Sequence, residues 1–148
     1  MSDTMTVQCA TCKTANRVVR GREGAICGRC REPLDAGAAR GKAVNLTEGS
    51  FQREVLESGL PVLVDCWAPW CGPCRMLTPV IDGLAGQLAG KVKVAKLNVD
   101  EAPTLAGRMS IQGVPTLMAF KNGQLLGRQT GAGSADQIVG WLRQVGAL

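Results

Sequence analysis

Hydrophobic positions from residue 43 onward repeat with two alternating periods, which predict strands that are followed by helices. Short apolar runs are typical of buried strands, and apolar residues three and four positions apart are typical of helices that pack on a sheet. The resulting order, β-α-β-α-β-α-β-β-α, predicts an α/β fold with a mixed central sheet flanked by helices. The predicted strands cover 43–46, 61–67, 92–99, 116–121 and 124–129, and the predicted helices cover 50–58, 74–88, 103–109 and a segment that starts at 134.

Three local patterns support this prediction most strongly. The run at 61–67 is almost uninterrupted in its hydrophobicity, as expected of a central strand that is buried on both faces. Asn122 and Gly123 form the dipeptide most typical of a tight hairpin. Ser134 and Gln137 have the spacing of a capping box at a helix start. The first helix is expected to bury Phe51, Val55 and Leu56.

Composition narrows the chemistry that this fold can support. The chain has 148 residues, a net charge of +5, seven cysteines and no histidine. Its length fits one domain with a small appendage. Without histidine it cannot use Cys-His or Ser-His-Asp catalytic sites, nor mixed cysteine-histidine zinc sites. Any chemistry must therefore depend on cysteines or carboxylates.

Charge and composition divide the chain near residue 41. The first 42 residues hold eight Lys or Arg and four Asp or Glu, whereas the remainder holds nine basic and eight acidic residues. Residues 35–41 are small, Gly/Ala-rich and without periodicity, which is typical of a linker. We therefore expect a small module at 1–40 and a larger domain at 41–148.

No segment has the pattern of a secretory signal or a membrane span. Residues 1–8 are mixed and polar, and no window approaches the roughly 18 apolar residues that a transmembrane helix needs. The sequence therefore predicts a cytoplasmic protein without a membrane partner. In a reducing compartment, clustered cysteines are more often metal ligands or redox catalysts than structural disulfides.

Four of the cysteines form two C-x2-C pairs in the N-terminal module. Two such knuckles can present four thiolates to one Zn²⁺ in a tetrahedral arrangement. The module has few large apolar side chains, so it needs a metal or a covalent staple in place of a core. Two disulfides are the alternative, and a bound zinc ion could be structural or sensitive to oxidation. Short strands are expected at 14–20 and 25–26. The predicted metal ligands are Cys9, Cys12, Cys27 and Cys30.

The basic charge of the module does not by itself predict a nucleic-acid partner. None of the first 42 residues is aromatic, so no side chain there could stack on a base. Four thiolates and one Zn²⁺ would also add a net charge of −2, which the basic residues offset. We therefore expect no nucleic-acid partner.

The third pair, Cys71 and Cys74, lies between a predicted buried strand and a predicted helix. A thiolate at a helix N-terminus is stabilised by unpaired backbone N–H groups and by the helix dipole. We expect Cys71 to be the exposed nucleophile and Cys74 to be the more buried thiol that resolves the mixed disulfide. Pro73 removes a backbone donor near the sulfurs, so Gly72 and Pro73 should tune the redox potential.

The motifs between residues 43 and 148 together resemble those of the thioredoxin family. Trp-Cys-Gly-Pro-Cys at 70–74 resembles the active site of the family, and Gly-Val-Pro-Thr at 113–116 resembles its cis-proline loop. Further family motifs are matched in the same order at 64–67, 94–100, 121–123 and 131–132. With a four-cysteine module in front, the chain is similar to the zinc-containing thioredoxin 2 subgroup.

The resemblance implies a thioredoxin fold and a protein-disulfide reductase that thioredoxin reductase regenerates. It implies no organic cofactor on this chain, and we expect a monomer that acts on disulfide-containing substrate proteins. It also implies that the Val114–Pro115 bond is cis and faces the two sulfurs, which leaves the Val114 backbone available to a substrate peptide. The expected substrate surface consists of Trp70, Gly72, Pro73, Val114, Pro115, Gly131 and Ala132.

Three further residues of this domain are singled out by their positions. Asp65 lies in an otherwise apolar strand, where burial should raise its pKa and suit it to accept the proton of Cys74 through water. Lys96 shares the parity of apolar residues in its strand, so it could face Asp65 and modulate it, with a solvated lysine as the alternative. Cys66 stands where the family commonly has phenylalanine, and we interpret it as a packing residue rather than a third redox thiol.

Two other functions stay open at the level of sequence. The protein could act mainly as a zinc-dependent interaction or chaperone module, with the redox domain subordinate. It could also be an oxidase or isomerase, although the Gly-Pro dipeptide between the cysteines goes with reducing members of the family.

Overall fold

A computed structural model of the chain describes residues 4–9, 12–19, 26–31, 42–131 and 133–148. The strands in these residues are β1 (Thr4–Gln8), β2 (Ala15–Val19), β3 (Val44–Leu46), β4 (Val62–Trp67), β5 (Lys93–Asn98), β6 (Thr116–Lys121) and β7 (Gln124–Thr130). The helices are α1 (Gln52–Leu56), which is a π-helical turn, α2 (Gly72–Gln87), α3 (Pro103–Arg108) and α4 (Ala135–Val145). The predicted element order from residue 43 onward is confirmed.

The main sheet has five strands in the order β3-β5-β4-β6-β7. β3, β5 and β4 run parallel, and β6 and β7 continue the sheet in antiparallel orientation. β4 is therefore hydrogen-bonded on both sides, and its residues from Val62 to Cys66 are buried. The apolar run predicted this placement, because a strand covered on both faces has no polar face.

Alternate residues of β4 divide the core between the two faces of the sheet. Leu63 belongs to a cluster with Leu77 of α2 and Ile138 of α4. Val64 points to the opposite face, where it belongs to a second cluster that contains Phe51. The fold thus has one apolar layer on each side of the sheet, as the mixed α/β pattern predicted.

Two predicted local signals are confirmed. Asn122 and Gly123 join β6 to β7 with φ values of 53° and 78°, the left-handed backbone of a tight hairpin turn. Gln137 N donates a hydrogen bond to Ser134 Oγ at 3.2 Å, and Ser134 N donates one to Gln137 Oε1 at 2.9 Å. This capping box begins α4 where the sequence predicted it.

The structure corrects three details. The helix predicted at 50–58 is a shorter π-helical turn, and Leu56 is 37% exposed because it lies at the end of that turn. The helix predicted from residue 74 begins at Gly72, because Cys71 is its N-cap. β2 pairs with β1, a strand ahead of the first knuckle that the sequence analysis did not predict.

The N-terminal module is described only in part. β1 and β2 form an antiparallel ribbon in which Thr4 lies opposite Val19 and Gln8 lies opposite Ala15. The predicted linker at 35–41 lies outside the described residues, so the division into 1–40 and 41–148 stays a prediction. Among the helices that the structure describes, none has the length and hydrophobicity needed to cross a membrane.

Candidate functional site

The C-terminal end of β4 leads directly into the third cysteine pair. A turn follows Trp67, in which Cys71 N donates a hydrogen bond to Ala68 O at 3.1 Å. α2 then begins at Gly72, and Cys71 and Cys74 form a disulfide. The structure therefore brings the predicted redox pair together at the N-terminus of a 16-residue helix.

The helix terminus favours negative charge on Cys71. Cys74 N donates a hydrogen bond to Cys71 Sγ at 3.1 Å, and the positive end of the helix dipole lies at the same place. Cys71 is 4% exposed and Cys74 is 1% exposed. The predicted order of burial is confirmed, but Cys71 is much less exposed than expected, because Ala68 and Val114 pack against the disulfide.

The loop before β6 faces the disulfide. The Val114–Pro115 peptide bond is cis, and Cys71 Sγ lies 3.7 Å from the carbonyl oxygen of Val114. Gly131 N donates a hydrogen bond to Pro115 O at 2.9 Å, which ties the end of β7 to this loop. Val114 and Gly131 are half-buried, whereas Pro115 is buried. Ala132 lies outside the described residues, so its predicted place in the surface stays a prediction.

Exposed apolar side chains lie on either side of the cysteine pair in sequence. Trp70 is 70% exposed and Met76 is 79% exposed, and Gly72 and Pro73 are exposed between them. The sequence analysis did not single out Met76. Its place between the inward-facing positions of α2 is a signal that could have identified it, since a large apolar residue there must face solvent.

Two polar contacts orient this surface. The sequence analysis did not identify Asp100 or Arg75, which take part in them. Trp70 Nε1 donates a hydrogen bond to Asp100 Oδ1 at 3.4 Å. Arg75 Nη2 donates one to Pro69 O at 2.9 Å. Asp100 follows β5 just as the disulfide follows β4, and the carboxyl ends of parallel strands lie at one edge of a sheet. That topology could have pointed to Asp100.

Asp65 is a buried carboxyl group in the strand that leads to the disulfide. It is 1% exposed, and its Oδ1 has no hydrogen-bond partner among the described residues. Burial raises the pKa of Asp65 to about 6, the charge of Lys96 acts in the opposite direction, and that of Asp82 adds to the increase. The predicted increase in this pKa is confirmed.

Lys96 lies beside Asp65 in the register of β5 and β4. Its Nζ forms an ion pair with Asp82 Oδ1 at 3.0 Å, and its side chain is 16% exposed. The predicted proximity to Asp65 is confirmed, and Lys96 is not a freely solvated lysine. The ion pair borders a cleft of about 310 Å³ that Lys42, Ala43, Asn45, Asp82 and Lys96 line.

Cys66 has the environment of a packing residue. It is fully buried in the cluster on the other face of the sheet, where its Sγ lies 3.9 Å from Met118 Sδ. Burial raises the pKa of the Cys66 thiol to about 12, and the charge of Asp65 adds to the increase. A thiol with so high a pKa does not form the thiolate that redox exchange needs near neutral pH.

The four cysteines of the N-terminal module come together in space. Their Sγ atoms all lie within 4.8 Å of one another. The Cys9–Cys30 and Cys12–Cys27 sulfur pairs are each 3.6 Å apart, and none of the four cysteines forms a disulfide. Four thiolates around a tetrahedral Zn²⁺ would be about 3.8 Å apart. The cluster therefore fits a metal ion, as the spacing of the knuckles predicted.

Both knuckles have the same backbone turn. Lys13 N donates to Cys9 O at 2.8 Å, and Arg31 N donates to Cys27 O at 3.0 Å. Lys13 and Arg31 have φ values of 65° and 66°, so each turn ends in a left-handed residue. Backbone N–H groups of Cys30 and Arg29 lower the pKa of Cys27 to about 6, which favours the thiolate form that binds metals.

Asn16 connects the two knuckles, and the sequence analysis did not identify it. Its Oδ1 accepts a hydrogen bond from Gly28 N at 2.9 Å. Its Nδ2 lies within donating distance of Thr14 O at 3.0 Å and of Cys27 Sγ at 3.5 Å. One side chain thus fixes the orientation of a sulfur in the second knuckle relative to the strand that follows the first.

A disulfide at the start of the helix after a central strand, opposite a cis-proline loop, defines a class of thiol-disulfide exchange proteins. The thioredoxin family model matches residues 42–144. A thioredoxin of Rickettsia felis is 49% identical over 102 residues, which cover 69% of this chain and 97% of that protein. Thioredoxin 1 of Nostoc sp. is 53% identical over 90 residues, which cover 61% of this chain and 84% of that protein. The chain therefore belongs to the thioredoxin family.

Family membership and geometry together identify the activity and its centre. The protein is a protein-disulfide oxidoreductase, and the Cys71–Cys74 pair is its active site. The family model begins at residue 42, after all four cysteines of the metal-compatible cluster. The four-cysteine cluster therefore lies outside the part of this chain that the family model describes.

Asp65 makes the stability of the domain depend on pH. Because its pKa is raised from about 4 to about 6, the folded state binds this proton more tightly than the unfolded state, and stability decreases as pH rises through that interval. We expect Asp65→Asn to increase the free energy of unfolding by about 2–3 kcal/mol near neutral pH. Near pH 4, the lower end of that interval, the increase should be small. Urea unfolding of the oxidised protein at both pH values measures the difference.

Asp82→Asn is the control for loss of a carboxylate charge at an exposed position, since Asp82 is 56% exposed and solvent screens its ion pair with Lys96. It should change stability by less than about 1 kcal/mol at either pH. An Asp65→Asn gain of equal size at both pH values would contradict the role assigned to the buried charge.

Proposed function

We propose that this protein is a thioredoxin-type reductant of cytoplasmic protein disulfides, that thioredoxin reductase regenerates its dithiol, and that Zn²⁺ occupies the four-cysteine cluster. The observation that carries the proposal is the Cys-Gly-Pro-Cys disulfide at the N-terminus of α2, next to an exposed tryptophan. A monomer without nucleic-acid or membrane partners is sufficient for this activity.

The reaction starts from the reduced dithiol. The Cys71 thiolate attacks one sulfur of a substrate disulfide, forms a mixed disulfide and releases the other substrate sulfur as a thiolate. Cys74 then loses its proton and attacks Cys71 Sγ, which releases the second substrate sulfur. The substrate gains two electrons and two protons, and the chain ends in the disulfide state described above.

The order of the two steps follows from the surroundings of the sulfurs. The N–H of Cys74 and the helix dipole stabilise the thiolate of Cys71, so this residue is the nucleophile. Cys74 is nearly inaccessible at 1% exposure, so its partner is Cys71 within the mixed disulfide rather than a substrate in solution.

Asp65 is proposed as the acceptor of the Cys74 proton, through water. A carboxyl group with a pKa of about 6 is a better base than an ordinary aspartate and is still largely ionised near neutral pH. Lys96 is proposed to modulate this base, since it lies in register with Asp65 and its charge lowers the pKa of that group. The Lys96–Asp82 pair borders the cleft described above.

The substrate surface is proposed to combine exposed apolar contacts with peptide pairing. Trp70 and Met76 supply apolar area, and Gly72 and Pro73 are exposed between them. Val114 is only half-buried and borders Cys71, so its backbone can pair with an extended substrate segment. The segment at 131–132 would complete this surface on the β7 side.

Zn²⁺ in the cluster would supply folding energy to a module that lacks a core. Cys9, Cys12, Cys27 and Cys30 would hold the ion, and four thiolates leave no open position for a substrate. We therefore propose that the module modulates the activity or its response to oxidation and takes no part in the exchange itself. This combination of domains is the basis for proposing membership of the zinc-containing thioredoxin 2 subgroup.

The function is tested by the rate at which the protein accelerates reduction of insulin disulfides by dithiothreitol. Cys71→Ser removes the nucleophile, so the rate should fall to that of dithiothreitol alone. Cys66→Ala should keep the wild-type rate, because Cys66 is buried on the other face of the sheet. Wild-type activity in Cys71→Ser would overturn the assignment, and an inactive wild-type protein that still binds clients through residues 1–40 would favour the interaction-module function.

The proposed metal site is tested through Asn16. Asn16→Ala removes the hydrogen bonds that orient Cys27, and loss of such a supporting residue should weaken Zn²⁺ affinity by about 10–100-fold. Competition with a chromogenic chelator measures the affinity. Arg17→Ala is the matched control, because Arg17 is the next residue of β2 and is exposed. Equal affinity in both variants would contradict the role of Asn16.

A further inference from the structure

The N-terminal module touches the thioredoxin domain at the loop of residues 57–60, which joins α1 to β4. Lys13 Nζ donates a hydrogen bond to Glu57 O at 3.4 Å. A Cβ atom added to Gly59 would lie 3.0 Å from Gln8 Cβ and 3.1 Å from both Gln8 Cγ and Gln8 O. These distances are shorter than most contacts of real Cβ atoms, so a side chain at position 59 would force Gln8 to shift, whereas Gly59 accommodates it.

The residues that make this contact border the first knuckle. Gln8 immediately precedes Cys9, and Lys13 immediately follows Cys12. Gln8 Nε2 donates to Lys13 O at 3.1 Å, and Lys13 N donates to Cys9 O at 2.8 Å. The turn of the first knuckle therefore determines how Gln8 and Lys13 are presented to Gly59 and Glu57.

The loop that receives the module is part of the rigid domain. Ser58 is 5% exposed, its Oγ donates to Leu60 O at 2.8 Å, and Leu60 N donates to the same Oγ at 3.1 Å. The preceding helix is held by Lys93 Nζ, which donates to Glu54 O at 2.7 Å. A contact with this loop is therefore a contact with a segment that is hydrogen-bonded to the rest of the domain.

The loop and the disulfide lie at opposite ends of β4. The loop precedes Val62, the first residue of the strand, and the disulfide follows Trp67, the last one. A strand of this length extends about 17 Å. The module thus contacts the domain far from the exposed Trp70 and Met76.

We propose that Gly59 is the docking point of the metal-loaded first knuckle, and that Zn²⁺ binding stabilises the thioredoxin domain from the end of β4 opposite the dithiol. The proposal rests on the proposed occupancy of the cluster by Zn²⁺. A ligand that binds only the folded, docked form adds to the stability of that form. Zinc binding therefore increases the free energy of unfolding of the domain, and the described part of the module does not cover Trp70 or Met76.

Hydrogen–deuterium exchange of the full chain tests this docking. In zinc-loaded wild-type protein the amides of residues 57–60 should be protected, and chelation should increase their exchange by about tenfold. Zinc-loaded Gly59→Val should exchange like chelated wild type, because the added side chain meets Gln8, and chelation should change it no further. Gly140→Ala is the matched control, since an added Cβ there meets nothing within 4 Å.

Insulin reduction by the same samples shows that each variant is folded, and Gly59→Val should retain the wild-type rate. A second variant, Lys13→Met, removes the hydrogen bond to Glu57 without changing the domain and should raise exchange at 57–60 in the zinc-loaded protein. Protection in Gly59→Val equal to wild type, or unchanged exchange when a stoichiometric zinc ion is removed, would overturn the proposal.

Metal analysis and activity separate this result from the proposed function. A wild-type protein that binds no zinc would overturn the zinc-linked stabilisation, and the comparison of Gly59→Val with Gly140→Ala would still decide whether Gly59 is the docking point. An inactive wild-type protein would overturn the reductase function and leave the exchange comparison valid.

Discussion

The hydrogen bonding of β4 on both sides fixes the position of each functional group in this protein. Its burial on both faces excludes water from Asp65, and the same burial that destabilises this carboxylate raises its pKa. The disulfide follows the C-terminal end of β4 at a helix N-terminus, and the loop before its N-terminal end contacts Gln8 of the module at Gly59. This strand thus carries a buried carboxyl group and separates the redox site from a cysteine cluster that fits a metal ion.

The three C-x2-C segments show how one spacing can lead to two backbone arrangements, a closed knuckle and a helix start. In each segment the residue after the second cysteine donates its N–H to the carbonyl of the first, as Lys13, Arg31 and Arg75 do. Lys13 and Arg31 then adopt positive φ, which ends the turn and lets two knuckles converge. Arg75 instead continues α2, so Cys71 stays at a helix N-terminus where a thiolate is stabilised.

The sequence was sufficient to predict features that depend on local pattern. The order of elements along the chain, the hairpin, the capping box and both groups of cysteines follow from periodicity and spacing. Even the missed β1 shows a period-two alternation of Thr4, Thr6 and Gln8 with apolar residues. The contacts of Asn16 and Gly59 depend on residues that are distant in sequence, so no local signal revealed them. The low exposure of Cys71 likewise depends on Val114, which the fold brings from the loop before β6.

The reduction potential of the Cys71/Cys74 couple tests the central claim most directly, because it measures whether this helix terminus and strand produce a reductant. Equilibration of the full chain with glutathione buffers, followed by quantification of the dithiol, gives the potential. We expect about −270 mV, the value established for thioredoxin itself. A value near −120 mV, typical of a strong periplasmic oxidant, would contradict the assignment as a reductant.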